Sequence, residues 1–246
     1  MERVDKNNMS RGAGAQKAAD QPTQAQSVFA RLRRALTSKH AQTAGHYALA
    51  AGVTALLMFC YLDLMPLDGH EAYVGVVARG MVNPDQWLDP GMTSSPVPPN
   101  TPLNHWLLPV CNGEARLVKT PLAYWCVAGL FKLGMPMNEF TVRIPSALSA
   151  VLLVVVTLAL GRCMFSPRAA LYGTLILAAS VALIGWGRNG RADMQMCFWM
   201  TLAMWGFYRG LCRTGPMRHI LIMLAWFALG LANLCLLYTS PSPRDS

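Results

Sequence analysis

Five stretches free of Asp, Glu, Lys and Arg dominate this sequence: residues 41–62, 144–161, 169–187, 194–208 and 220–238. Most approach the ~18–20 residues that an α-helix needs to cross a hydrocarbon core of about 30 Å. The expected fold class is therefore all-α, a multi-pass transmembrane helical bundle with about five spans. Composition agrees. The chain is 53% hydrophobic and only 13% charged, where a soluble domain carries roughly 25% charged residues. Intrinsic disorder, collagen and a disulfide-stapled secreted scaffold are excluded.

The net charge of +9 raises the question of nucleic acid, but its distribution answers it. Eight of the 21 Lys and Arg precede residue 40 and most others flank apolar blocks, which is the signature of membrane topology rather than of a groove for nucleic acid. Cys60, Cys126, Cys163, Cys197, Cys212 and Cys235 sit in or beside apolar blocks, and only Cys111 lies well inside a polar loop. With an odd count and no CxxC spacing, packing in the membrane explains them better than a disulfide set or a zinc site.

Residues 1–43 read as a disordered basic cytoplasmic tail, with Val28 to Leu36 able to form a short basic amphipathic helix on an anionic membrane face. The first apolar run starts only near His46, so no cleavable signal is expected and the segment stays as an anchor. The string 236–246, Leu-Tyr-Thr-Ser-Pro-Ser-Pro-Arg-Asp-Ser after Leu236, resembles a translated sequencing adapter. It reads as a non-native terminal scrap, and the natural protein is expected to continue beyond about residue 235.

Thr120 to Phe131 has only 12 uncharged residues between Lys119 and Lys132, a length that suits an interfacial or re-entrant segment better than a span. With it lying flat, the positive-inside rule puts the tail, the Arg162/Arg168 turn and the Arg209/Arg213/Arg218 turn in the cytoplasm, and Arg188 and Arg191 outside. Spans are then expected at about 44–62, 142–161, 169–187, 194–209 and 219–237, with an outer loop over 63–141. That loop holds seven acids against four bases. Glu71 to Met81 suits an amphipathic juxtamembrane helix, whereas Pro96, Pro98, Pro99 and Pro102 forbid regular structure around them.

Four groups of residues have the chemistry for a site. Asp68, His70, Glu71 and Tyr73 gather at the start of the juxtamembrane helix, where the helix dipole favours the carboxylate anion, suited to a base or a cation ligand. The alternative is simple capping. Arg116 and Lys119 stand ahead of the interfacial segment, either holding a phosphate and stabilising its developing charge or anchoring in headgroups. Asp193, in a turn with Arg188 and Arg191, is costly beside an apolar helix unless one of those arginines pairs with it. Arg143 reads as an interfacial anchor, with Pro145 in the first turn of its span. No Gly-rich phosphate loop, metal-ligand spacing or Ser-His-Asp signature occurs.

Taken in order, these phrases resemble the GT-C membrane glycosyltransferases, in the branch of the protein mannosyltransferases and aminoarabinose-lipid A transferases. Glu71-Ala72-Tyr73 through Ala78-Arg79-Gly80-Met81 is similar to the family's acidic motif and first juxtamembrane helix. Asn112-Gly113-Glu114-Ala115-Arg116-Leu117 and Lys119-Thr120-Pro121-Leu122 are similar to its Lys-Pro-Pro-Leu phrase, and Val142-Arg143-Ile144-Pro145-Ser146 and Arg191-Ala192-Asp193-Met194 to two later span openings. The resemblance implies transfer of a sugar from a polyprenyl-phosphate carrier to a lipid, protein or glycan acceptor on the extracytoplasmic face of a bacterial-type inner membrane. It implies that Glu71 helps activate the acceptor, that Lys119 and Arg116 meet the donor phosphate, and that Asp193 positions the acceptor or a basic residue. Glu71→Gln is then expected to abolish transfer without disturbing expression. The sequence departs from the family in having His70 before Glu71, with Asp68 two positions ahead, and Thr120 in place of the first proline. It leaves any divalent metal requirement open, and this stretch alone is expected to be inactive. A multi-pass transporter and a non-catalytic membrane scaffold are the competing classes; a transporter calls for broken or charged spans and a repeated half.

Overall fold

The computed structural model describes residues 39–64, 66–83, 106–107, 110–111, 114–115 and 121–235. Residues 1–38, the Pro-rich stretch, Arg116, Lys119 and the terminal string 236–246 lie outside them. The chain falls into two units, Met1–His46 and Tyr47–Ser246. Of the first, the described part is the opening of helix α1, Lys39–Phe59, which starts before the expected tail ends. The rest concerns the second unit.

After α1 come α2 (Gly69–Val82), α3 (Leu122–Lys132), α4 (Glu139–Met164), α5 (Pro167–Ala178), α6 (Val181–Gly187), α7 (Ala192–Leu211) and α8 (Pro216–Asn233). The architecture is all-helical apart from two-residue strands Val110–Cys111 and Glu114–Ala115, paired antiparallel with Cys111 opposite Glu114. The sequence between them is Asn112-Gly113, the dipeptide most favoured in two-residue hairpin loops.

α4 is the axis of the bundle. Asn138 caps it by accepting from Thr141 N at 3.1 Å, and its 26 residues extend about 39 Å at 1.5 Å each. Ala147, Ala150, Leu153, Val154 and Leu158 recur at helical spacing and are buried against Ala50 and Met58 of α1, Ala170 and Leu171 of α5, and Phe198 of α7. Because α4 begins at Glu139, Pro145 lies inside the helix rather than in its first turn. A second, smaller cluster joins α2 and α3: Val74, Val77 and Met81 pack on Tyr124, Val127 and Phe131, with Val142 beneath. α3, with 11 residues, reaches only about 16 Å and is too short to cross a bilayer.

By length and composition, α4 and α8 qualify as membrane spans among the described residues, and α5 with α6 adds a third if that pair is one broken span. The expected continuous span over 169–187 is bent by 58° at Ala179–Ser180. Ser180 accepts from Leu183 N at 3.2 Å and starts α6 as a new helix, a local capping signal that a count of charged residues does not register. α1 and α7 have spanning length, 21 and 20 residues, but their first turns are polar.

Candidate active site

The end of α1, the starts of α2, α4 and α7, and the turn between α6 and α7 meet at one end of the bundle, and a single buried ion pair joins them. α2 begins with a capping box: Asp68 Oδ1 accepts from Gly69 N at 2.7 Å, and Glu71, at the third helical position, reaches back to accept from Asp68 N at 3.1 Å. Glu71 nevertheless points inward and its side chain is only 2% exposed. Arg143 Nη2 donates to Glu71 Oε2 at 2.8 Å and Arg143 Nε to Oε1 at 3.1 Å, a two-point fork. The backbone N–H of Gly190 also donates to Oε1. These four donor contacts occupy about the four lone-pair positions that a carboxylate has.

Arg143 is equally committed. Its Nη1 donates to Leu62 O at 2.8 Å and its Nη2 also to Pro66 O at 3.1 Å, so one guanidinium ties α4 to the link between α1 and α2. This corrects the reading of Arg143 as an interfacial anchor, since its side chain is 6% exposed and ion-paired. Burial, the largest influence, pushes the Glu71 carboxyl up, but the Arg143 hydrogen bond, the Gly190 and Asp68 N–H groups and the Arg143 charge together hold it below its ordinary value. Glu71 is therefore an anion whose lone pairs are already used.

The neighbouring sequence candidates fall on both sides of this node. Asp68 and His70 are exposed on the first turn of α2, and Tyr73 is 40% exposed one turn on. Arg191 N-caps α7 and lies over the Trp186 ring at 5.3 Å, while Ser146 Oγ of α4 donates to Arg191 O at 2.9 Å. Arg188 donates to Leu57 O and Tyr61 O at 3.3 and 2.8 Å, closing the end of α1. Neither arginine pairs with Asp193, contrary to expectation; the ion pair among the described residues is Arg143–Glu71. Asp193 instead lines a cavity of about 390 Å³ between α4, the α5–α6 bend and α7, with Leu153, Leu177, Ser180 and Trp186. It shares a turn with Gly190 but not a cavity with Glu71. Lys119 and Arg116 lie outside the described residues, although Ala123, four positions after Lys119, packs with Ala192 at the start of α7. Among the described residues no cluster of His, Cys, Asp or Glu has the makings of a metal site.

Sequence reasoning named Arg143 only as an anchor and gave Gly190 no role. For Arg143 a signal existed: Asn138 two positions before a hydroxyl-bearing, apolar run reads as an N-cap, which puts Arg143 inside the helix instead of ahead of it. Gly190 gave none, because its role depends on backbone approach. A Cβ there would meet Val142 Cγ1 at 2.8 Å and Val142 O at 3.1 Å.

Residues 118–235 match the family model of the dolichyl-phosphate-mannose-protein mannosyltransferases. An uncharacterised protein of Aquifex aeolicus is 33% identical over 138 residues, which is 56% of this chain and 26% of that protein. The crystal structure of ArnT from Cupriavidus metallidurans in the apo state superposes with a TM-score of 0.61 at 21% identity, over 79% of this chain and 33% of ArnT. The same ArnT bound to undecaprenyl phosphate gives 0.61 at 21% identity, over 78% and 32%. The chain thus spans about a quarter to a third of the length of the proteins it matches. In fold the chain is similar to ArnT, and over residues 118–235 it is similar to the dolichyl-phosphate-mannose-protein mannosyltransferases.

Proposed function

We propose that this chain forms the N-terminal part of a membrane enzyme that moves a sugar from a polyprenyl-phosphate carrier to a lipid, protein or glycan acceptor on the extracytoplasmic face. The observation that carries the reading is the node itself. Glu71 draws donors from the start of α2, from α4 and from the α6–α7 turn, which supports a reading in which Asp68, His70 and Arg191 serve one site at this end of the bundle. The match to a mannosyltransferase family and the binding of undecaprenyl phosphate by ArnT support a lipid-linked donor.

In an inverting transfer the acceptor oxygen attacks the anomeric carbon, the bond from that carbon to the phosphate oxygen breaks, and phosphate leaves with the electron pair. The protein has to take the acceptor's proton, stabilise the departing charge and align the two partners. Glu71, with its lone pairs taken, is a positioning residue. His70, exposed on the same turn beside Asp68, is the proton acceptor in this reading. Arg116 and Lys119 meet the leaving phosphate, Arg191 supplies a further cation, Tyr73 borders the substrate, and Asp193 positions the acceptor.

The test is transfer of labelled mannose from polyprenyl-phosphate mannose by the full-length protein in membrane vesicles. His70→Gln is expected to lower turnover by roughly 10²–10⁴-fold, the range for loss of a general base, with an unchanged melting temperature. Undiminished turnover removes His70 from the mechanism. Absence of transfer by the wild type, together with a change in solute uptake, favours a transporter.

A further inference from the structure

α2 presents two faces to the rest of the bundle. Glu71 meets Arg143, and Val74, Ala78 and Met81 pack on α3. Ala72, Gly75, Val76 and Arg79 recur at helical spacing one strip over. These four line a cavity of about 170 Å³, completed by Leu67, by Phe131 in α3 and by Asn138, Glu139 and Val142 at the start of α4. Gly75 allows the close approach, since a Cβ there would meet Val142 Cγ2 at 3.3 Å. Most of the wall is apolar. Asn138 Oδ1 is committed to the α4 cap, accepting from Thr141 N and Thr141 Oγ1 at 3.1 and 2.9 Å. The chemistry of the cavity is therefore set by one cation, the exposed Arg79, and one anion, the half-buried Glu139. Neither has a part in the transfer reading.

The position of the cavity narrows its occupant. α4 qualifies as a membrane span and Glu139 is its first residue, so the cavity lies at headgroup depth. The α3–α4 link beside it is apolar and exposed: Leu133 is 81% exposed, and Met137, which also lines the cavity, 39%. At ~30 Å³ per water the volume equals about five or six waters, room for a headgroup but not for an acyl chain.

We propose that this cavity binds the headgroup of a phospholipid bearing a primary ammonium, the phosphatidylethanolamine class, with its acyl chains along Leu133 and Met137. The phosphate fits the guanidinium of Arg79, whose five N–H donors can serve a ligand beside another partner. The ammonium brings three N–H donors to the Glu139 carboxylate, which only accepts. Phosphatidylglycerol offers Glu139 no cation, and the quaternary nitrogen of phosphatidylcholine has no N–H to donate. A free zwitterion would match both charges but leave the apolar ledge uncovered. The bound lipid joins α2 to α4 behind the Glu71–Arg143 pair and stabilises the fold by mass action. This site does not depend on the transferase reading.

The experiment measures binding of a chain-labelled short-chain phosphatidylethanolamine to the full-length protein in detergent, its displacement by unlabelled lipids, and the melting temperature. In the wild type, phosphatidylethanolamine is expected to compete about tenfold better than phosphatidylcholine or phosphatidylglycerol and to raise the melting temperature. Glu139→Gln is expected to bind phosphatidylethanolamine and phosphatidylcholine alike, and Arg79→Gln to lose all three lipids. Free phosphoethanolamine is expected to compete at least about tenfold worse than the lipid, because it lacks the chains. Equal competition by the three lipids in the wild type overturns the site. So do variants that melt lower without lipid yet keep the wild-type order of preference, since that is a structural role alone. Free phosphoethanolamine as potent as the lipid overturns the lipid assignment.

Discussion

Glu71 and Arg143 lie 72 positions apart in the chain and are joined by two hydrogen bonds. Removing one partner of a buried, hydrogen-bonded pair leaves the other charge uncompensated, which costs about 3–5 kcal/mol. Arg143→Met and Glu71→Gln are both expected to lower the melting temperature and the yield of folded protein. This revises the expectation that Glu71→Gln leaves expression intact. The pH dependence has a definite sign. A carboxyl held below its ordinary value of 4.5 in the folded state contributes stability that is present above that value and is lost as pH falls through the lowered one. Melting curves of wild type and Glu71→Gln should therefore differ most near neutral pH and converge in acid; a constant gap from pH 7 to pH 3 contradicts the assignment. Gly190→Ala is expected to cost about 1–3 kcal/mol through overpacking against Val142, read in the same assay. At this scale the sequence was half legible. The cap at Asp68 and Glu71 follows from residue type and spacing, but a partner so far along the chain has no local signature.

Helix contacts turn on small residues. Gly206 and Gly210 are one turn apart on α7, and a Cβ at Gly206 would meet Ala225 Cβ at 3.0 Å and Leu221 O at 3.1 Å on α8, while one at Gly210 would meet Ile222 Cγ1 at 2.9 Å. This small-xxx-small contact lets the backbones approach where lipid offers no hydrophobic drive for association. Gly206→Leu is expected to separate α7 from α8, seen as lost disulfide cross-linking between cysteines placed at Phe207 and Trp226, whose rings meet edge to face at 5.4 Å; unchanged cross-linking would show that the contact tolerates bulk. Ser180→Ala should cost about 1 kcal/mol by removing the cap of α6. The apolar blocks were legible because membrane burial is written into composition. The bend between α5 and α6 was not, because it depends on one serine side chain inside an unbroken apolar run.

Across the whole bundle, helix length separates two ends. α7 runs from the node at Ala192 to Leu211 in 20 residues, about 30 Å, so Arg209, Arg213 and Arg218 lie a membrane thickness from Glu71. Arg162 at the end of α4 lies over the Tyr47 ring at 5.9 Å, likewise remote from the node. Those basic turns thus lie at one end of the bundle and Arg143, Arg188 and Arg191 at the other. The full expected pocket was less legible: Asp193 lines a separate cavity, because a turn places neighbouring residues on different faces.

The claim on which the functional reading depends is that the Glu71 node faces outward. In a cysteine-free background, Asp68→Cys and Arg213→Cys occupy exposed positions at opposite ends. An impermeant maleimide applied to intact cells is predicted to label Asp68→Cys at once and Arg213→Cys only after the membrane is opened. Labelling in the reverse order, or of both positions from outside, contradicts the account.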